Sequence, residues 1–238
     1  MKIKVTLMGF AALFLVAVLG FGSVFRQAES KKAVTAGAVP HPVIVIDAGH
    51  GGVDSGAVGV DDTEEKYLNL SVARMLADDF RLAGYTVIET RTDDCLLGDG
   101  EKGQRKRADL EARLQLADET PDRVFVSIHM NTYPTADCHG LQVWYSGNNA
   151  ASKEYAEAVR LGVKATLQPD NKRETKQATS SIYILKNAQN PAILIECGFI
   201  TNPDECRRLR DETYQKELAL TIFSSLHQKM QADACAGP

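Results

Sequence analysis

The chain has 238 residues, 44% of them apolar, which is enough for one ordinary domain with a real core plus short extras. A formal net charge of −4 gives no electrostatic case for nucleic acid as a partner. Five cysteines, an odd number with no Cys-x-x-Cys spacing, argue against a disulfide framework and against a cysteine-bound zinc site.

At the N-terminus, Lys2 and Lys4 precede an uncharged stretch from Val5 to Phe25, and Arg26 closes it. Twenty-one residues at about 1.5 Å each give roughly 31 Å, enough to cross a bilayer core. A membrane anchor over residues 1–26 is the favoured reading, with the domain outside the cytoplasmic membrane. A cleavable signal segment, giving a secreted protein, competes with it. The apolar part of a signal segment is usually shorter, and Ala36-Gly37-Ala38 lies far beyond the end of this one. Positive residues on both flanks leave the orientation weakly specified. Residues 27–40 read as a linker that leads into a domain over 41–238.

Val43-Ile44-Val45-Ile46-Asp47-Ala48 is an apolar, β-branched run that reads as a buried strand and ends in Gly49-His50-Gly51-Gly52. In open α/β sheets ligands gather outside the carboxyl ends of strands, so His50 is delivered to the place where sites are built. Asp61 to Lys66 is an acidic helix start, where Glu65 by itself reads as one more solvated carboxylate favoured by the helix dipole. Lys66 to Ala83 carries Leu68, Val72, Met75, Leu76 and Phe80 at helical spacing, with Gly84 as the stop. Tyr85 to Thr90 reads as the next strand.

A charged helix follows over Arg105 to Asp118. Its cluster Arg105-Lys106-Arg107 reads as a solvated face, with substrate contact the lesser reading. Arg123 to Asn131 is a second apolar strand that ends in a histidine, His129. Leu141 to Tyr145 reads as a strand, Lys153 to Leu167 as a helix, Gln168 to Ser180 as a loop, and Ile182 to Leu185 as a short strand.

Pro191 to Glu196 repeats the opening theme, an apolar strand that ends in a polar side chain. Asn202-Pro203-Asp204-Glu205 places Asn at a cap, Pro at the first position and Glu at the third, a helix start. The last helix sets Leu218, Ile222, Leu226 and Met230 on one face. This alternation argues for a single α/β domain with a central, mostly parallel twisted sheet and helices on both faces.

A lone histidine after a strand is more often structural than ligating. Glu196 is harder to dismiss, because a carboxylate ending Ala-Ile-Leu-Ile is costly to bury without a cation or hydrogen bonds. Three such endings together point to a metal. His41 is placed on the linker, His227 on the outer part of the last helix, His139 on the surface, and Cys197 in the core.

Five blocks appear in order: Asp47-Ala48-Gly49-His50-Gly51-Gly52, Glu65-Lys66-x-x-Asn69-Leu70, Thr90-Arg91-x-x-Asp94, Ser127-Ile128-His129-Met130-Asn131 and Glu196-Cys197-Gly198-Phe199. With them the chain resembles the zinc-dependent N-acetylmuramoyl-L-alanine amidases of bacterial cell walls, in the group called amidase 3, from about Val43 to the last helix. The resemblance implies that His50, Glu65 and His129 bind one catalytic zinc and that Glu196 is the catalytic carboxylate. It selects Glu65 over Glu64 by the register of the second block. One departure stands out: Arg113-Leu114-Gln115-Leu116-Ala117-Asp118 has Asp where the family has Asn, which puts a supporting contact in doubt.

The implied reaction opens the amide between muramic acid and the L-alanine of the stem peptide, with peptidoglycan as substrate. Rivals are a zinc peptidase cutting within the stem peptide and a catalytically silent wall-binding protein. Some family members carry an inserted helix that blocks the cleft. No spare amphipathic helix stands between His129 and Glu196, which argues against a built-in plug and leaves control by a separate regulatory protein open. The layout, one short apolar segment and then a bare domain, also resembles the spore-cortex amidases that prepare muramic acid for conversion to its δ-lactam.

Overall fold

In the computed structural model, which describes residues 41–98, 100–101 and 103–236, the first apolar run forms β1 (Val43–Ala48). The chain then continues through α1 (Glu65–Leu82), β2 (Val87–Glu89), α2 (Arg105–Asp118), β3 (Arg123–Asn131) and β4 (Gln142–Tyr145). After these come α3 (Ala150–Thr166), β5 (Lys176–Gln177), α4 (Tyr183–Asn187), β6 (Ala192–Phe199), α5 (Pro203–Arg210) and α6 (Glu212–Ala236). Residues 1–40, with the segment read as anchor or signal and the linker, lie outside the described residues. Among the described residues no helix is long and apolar enough to cross a membrane.

The strands form one sheet in the order β2-β1-β3-β6-β4-β5. β2, β1, β3 and β6 run parallel, and β4 turns antiparallel against β6. Alternation along each strand splits its side chains between two cores. Ile44, Ile46, Val126, Ile128, Ile193 and Ile195 pack with residues of α1, α3 and α6 on one face. Val45, Phe125 and Leu194 face the other side, beneath Ala117 of α2 and Ile184 and Leu185 of α4. Leu218, Ile222 and Leu226 are fully buried along α6, each stabilising by about 1.5–3 kcal/mol. Asn202 caps α5 as its sequence implies, accepting from the amides of Asp204 and Glu205.

Four local readings change. Ile182 to Leu185 was expected as a strand, but α4 is a short helix that lays Ile184 and Leu185 on the sheet. Both neighbours of β4 are already taken, by β6 and β5, so this β-prone segment has no free ladder beside β4 to join. The run Tyr85 to Thr90 pairs only over Val87–Glu89, and Lys176–Gln177 adds a two-residue edge strand inside the tract expected as loop. His227 is not on the outer part of the last helix: its Nδ1 lies 2.9 Å from the Tyr85 hydroxyl and its ring stacks on Phe223. His41 stacks on the same Tyr85, with ring centroids 4.1 Å apart.

Register places the site. Ala48 pairs with Ile128 across β1–β3, and His129 pairs with Glu196 across β3–β6. His50, His129 and Glu196 therefore emerge along one rim, at the carboxyl ends of three adjacent parallel strands.

Candidate metal centre

His50 leaves β1 with φ of 61°, the left-handed region, inside a loop that folds back so that Gly51 and Asp54 pair through their backbones. Its Nδ1 lies 3.0 Å from Asp54 Oδ2, which fixes the ring and turns Nε2 toward Glu65 at 3.3 Å. Glu65 is the first residue of α1 and is only 3% exposed. Its Oε2 accepts from the Ala57 amide at 2.8 Å, and its Oε1 from the Met130 amide at 3.0 Å and from Asn69 Nδ2 at 3.1 Å. His129 Nδ1 lies 2.9 Å from the same Oε1. One donor atom from each of His50, Glu65 and His129 lies within 4.8 Å of the others.

The space around these donors is kept by missing side chains. A Cβ on Gly56, where φ is +67°, would stand 2.6 Å from Glu65 Oε2 and 2.7 Å from His50 Cδ2. A Cβ on Gly49 would collide with the His129 imidazole. Two imidazoles and one carboxylate are the donor set that zinc takes in open catalytic sites, and the residues present fit that ion. Asp54 supplies the outer hydrogen bond that a metal-bound histidine needs to fix its tautomer.

Electrostatics agree. Burial by itself would raise the Glu65 carboxyl, but the hydrogen bonds and charges of His129 and His50 outweigh it and hold the group ionised well below the usual carboxylate range. Burial likewise works to lower His50, yet Glu65 and Asp54 raise it above its ordinary value. A cation between these groups would replace the proton that the carboxylates now attract. Glu196 behaves in the opposite way: burial pushes its carboxyl up to about 7. Its Oε2 is buried with no hydrogen-bond partner among the described residues, an expensive arrangement that suits a group kept free to take a proton.

A buried polar frame carries the His50 loop. Arg113 donates to Asp47 Oδ1 at 2.5 Å, to Asp109 Oδ2 at 2.7 Å, and to the carbonyls of Ala48 and His50. Arg91 donates to the carbonyls of Ala48, Gly49 and Lys66. Lys66 bonds Asp94 at 2.9 Å, and Asp94 also accepts from the Gly52 amide. Lys66 of the second sequence block and Arg91 and Asp94 of the third thus act as scaffold for the first. Asp118, where the family has Asn, accepts from the amides of Gln189 and Asn190, just before β6. His139 stays exposed on its loop, and Cys197 is buried, as read from sequence. Asp54 and the apolar slot beside Glu196 were not singled out from the sequence. The one signal for Asp54 was its place four residues after His50.

Comparison with known proteins gives a consistent result. The family model described as N-acetylmuramoyl-L-alanine amidase matches residues 44–228. The germination-specific N-acetylmuramoyl-L-alanine amidase of Bacillus subtilis (strain 168) is 34% identical over 187 residues, covering 77% of this chain and 78% of the relative. The CwlD amidase from Clostridioides difficile, solved in complex with the GerS lipoprotein, superposes with a TM-score of 0.77 at 34% identity, covering 81% of this chain and all of that one. The catalytic domain of CwlV from Bacillus (Paenibacillus) polymyxa var. colistinus gives 0.67 at 28% identity, covering 81% and 99%.

Proposed function

The chain belongs to the N-acetylmuramoyl-L-alanine amidase family, and on that footing we propose that His50, Glu65 and His129 hold one zinc while Glu196 moves the proton in amide hydrolysis. The substrate is peptidoglycan, and the bond opened joins the lactyl group of muramic acid to L-alanine. The observation that carries the reading is the convergence of three donor atoms within 4.8 Å beside a carboxylate whose Oε2 has no partner.

When bound, zinc supplies Lewis acidity that polarises the amide carbonyl and lowers the pKa of water toward about 7. The chain does the rest. Glu65, gripped by two backbone amides and Asn69, keeps a fixed negative charge between the two rings. Asp54 holds the His50 tautomer. Glu196 accepts the proton of the attacking water at Oε2 and returns it to the amide nitrogen, so the amine of L-alanine leaves neutral.

The name of the B. subtilis relative supports placing this activity in spore-cortex maturation, where muramic acid stripped of its peptide can form the δ-lactam. Export through the N-terminal segment fits that substrate, and control by a separate protein partner is supported by the C. difficile amidase, which was solved with a lipoprotein. Mass spectrometry of purified wall digested with the zinc-loaded protein tests the reaction. New L-alanine amino termini with intact stem peptides are expected, and cleavage inside the stem would replace this reading with the peptidase.

A further inference from the structure

The cluster Arg105-Lys106-Arg107 begins α2, and all three side chains are exposed. Only the middle one faces the site. Lys106 lines the cavity around His50 and His129, and it also lines a second, adjoining slot of about 250 Å³. That slot is walled by Leu110, Phe125, Tyr183, Ile184 and Leu194, and Glu196 and His129 also line it. Arg107 stacks on the Tyr183 ring at 4.8 Å, which ties α2 to the outer wall. A slot of that size has room for a small residue.

The apolar walls suit a methyl group, and Lys106 puts a cation on the lining of the same slot. Lys106 is 71% exposed, and among the described residues its Nζ pairs only with Asp54 Oδ2, at 3.5 Å. That oxygen already serves His50 at 3.0 Å, so Asp54 is a weak and shared partner. We propose that the slot seats the L-alanyl end of the departing peptide and that Lys106 pairs with a free carboxylate on the residue that follows. Stem peptides carrying that carboxylate are then better substrates than the same peptides with a carboxamide there. The inference rests on the amidase reading and adds to it the chemical class of peptide preferred.

Two synthetic muramoyl-L-alanyl peptides, identical except for carboxylate or carboxamide on the second residue, supply the test. The readout is kcat/KM for the zinc-loaded wild type, Lys106→Met and Lys106→Arg. An exposed ion pair predicts that the wild type favours the carboxylate by about fivefold at low salt, and less at high salt. Lys106→Met should lose that preference and Lys106→Arg should keep it, a split that a purely structural role for Lys106 would not produce. Equal cleavage of both peptides by the wild type, or a preference that survives in Lys106→Met, overturns the inference. Cleavage of neither peptide by the wild type overturns the amidase reading along with it.

Discussion

Asp54 Oδ2 sits 3.0 Å from His50 Nδ1, and the two residues are joined by a loop that turns through a left-handed His50. The carboxylate both aims the ring and raises its basicity, so it sets how well Nε2 can bind a cation. Asp54→Ala should weaken zinc affinity by about 10–100-fold, as loss of such an outer partner usually does. Asp54→Asn, which keeps the shape without the charge, should fall between. Competition with a chromogenic chelator measures both, and wild-type affinity in Asp54→Ala would remove Asp54 from this role.

Glu196→Gln separates holding metal from moving protons. The variant should retain one zinc per chain and lose activity on wall by about 10²–10⁴-fold, the usual contribution of a general acid–base group. A fully active Gln variant would reassign the proton transfer. The metal-free protein offers a second readout. Its Glu196 carboxyl is pushed from 4.5 up to about 7 by burial, so folding favours the protonated form. The stability this gives is complete below about pH 4.5 and lost as pH rises through about 7. Wild type should therefore lose about 3 kcal/mol relative to Glu196→Gln across that window. Denaturant melts at both ends measure it, and parallel pH profiles would contradict the burial argument.

Gly56→Ala tests the cradle. The backbone there is left-handed, and an added methyl would press on Glu65 and His50 together. A cost of about 2 kcal/mol or more in stability is expected from the strain alone, with zinc affinity falling as well. Chemical denaturation and metal titration read the two effects. An alanine variant as stable and as tight as wild type would show that the loop gives way easily.

Much of this was readable from the chain because strand ends are readable. The runs before His50, His129 and Glu196 are apolar and β-branched, so the strands followed from pattern, whereas their alignment at one rim rests on the register of β1, β3 and β6. Glu65 was different. On sequence it is one acid among several at a helix start, and what distinguishes it is tertiary: amides from Ala57 and Met130 and the side chain of Asn69 all converge on it. The role of Arg113 is likewise tertiary: it begins a run shared with the family, but only the fold shows it buried beneath the His50 loop. α4 was misread because Ile182, Tyr183, Ile184 and Leu185 favour strands locally, while the sheet had no free ladder beside β4 for them to join.

For the biological setting, spores of a strain lacking this protein should have cortex depleted of muramic δ-lactam, read by chromatography of muropeptides. Unchanged lactam content would detach the protein from cortex maturation while leaving its chemistry intact.

The central claim is that one ion is shared by side chains from β3, α1 and the loop after β1. Anomalous diffraction from crystals of the zinc-loaded protein measures this directly. The account predicts a single strong zinc peak about 2.0–2.2 Å from one nitrogen of His50, one nitrogen of His129 and an oxygen of Glu65. Zinc bound elsewhere, or a peak that touches only one of the three, would contradict it.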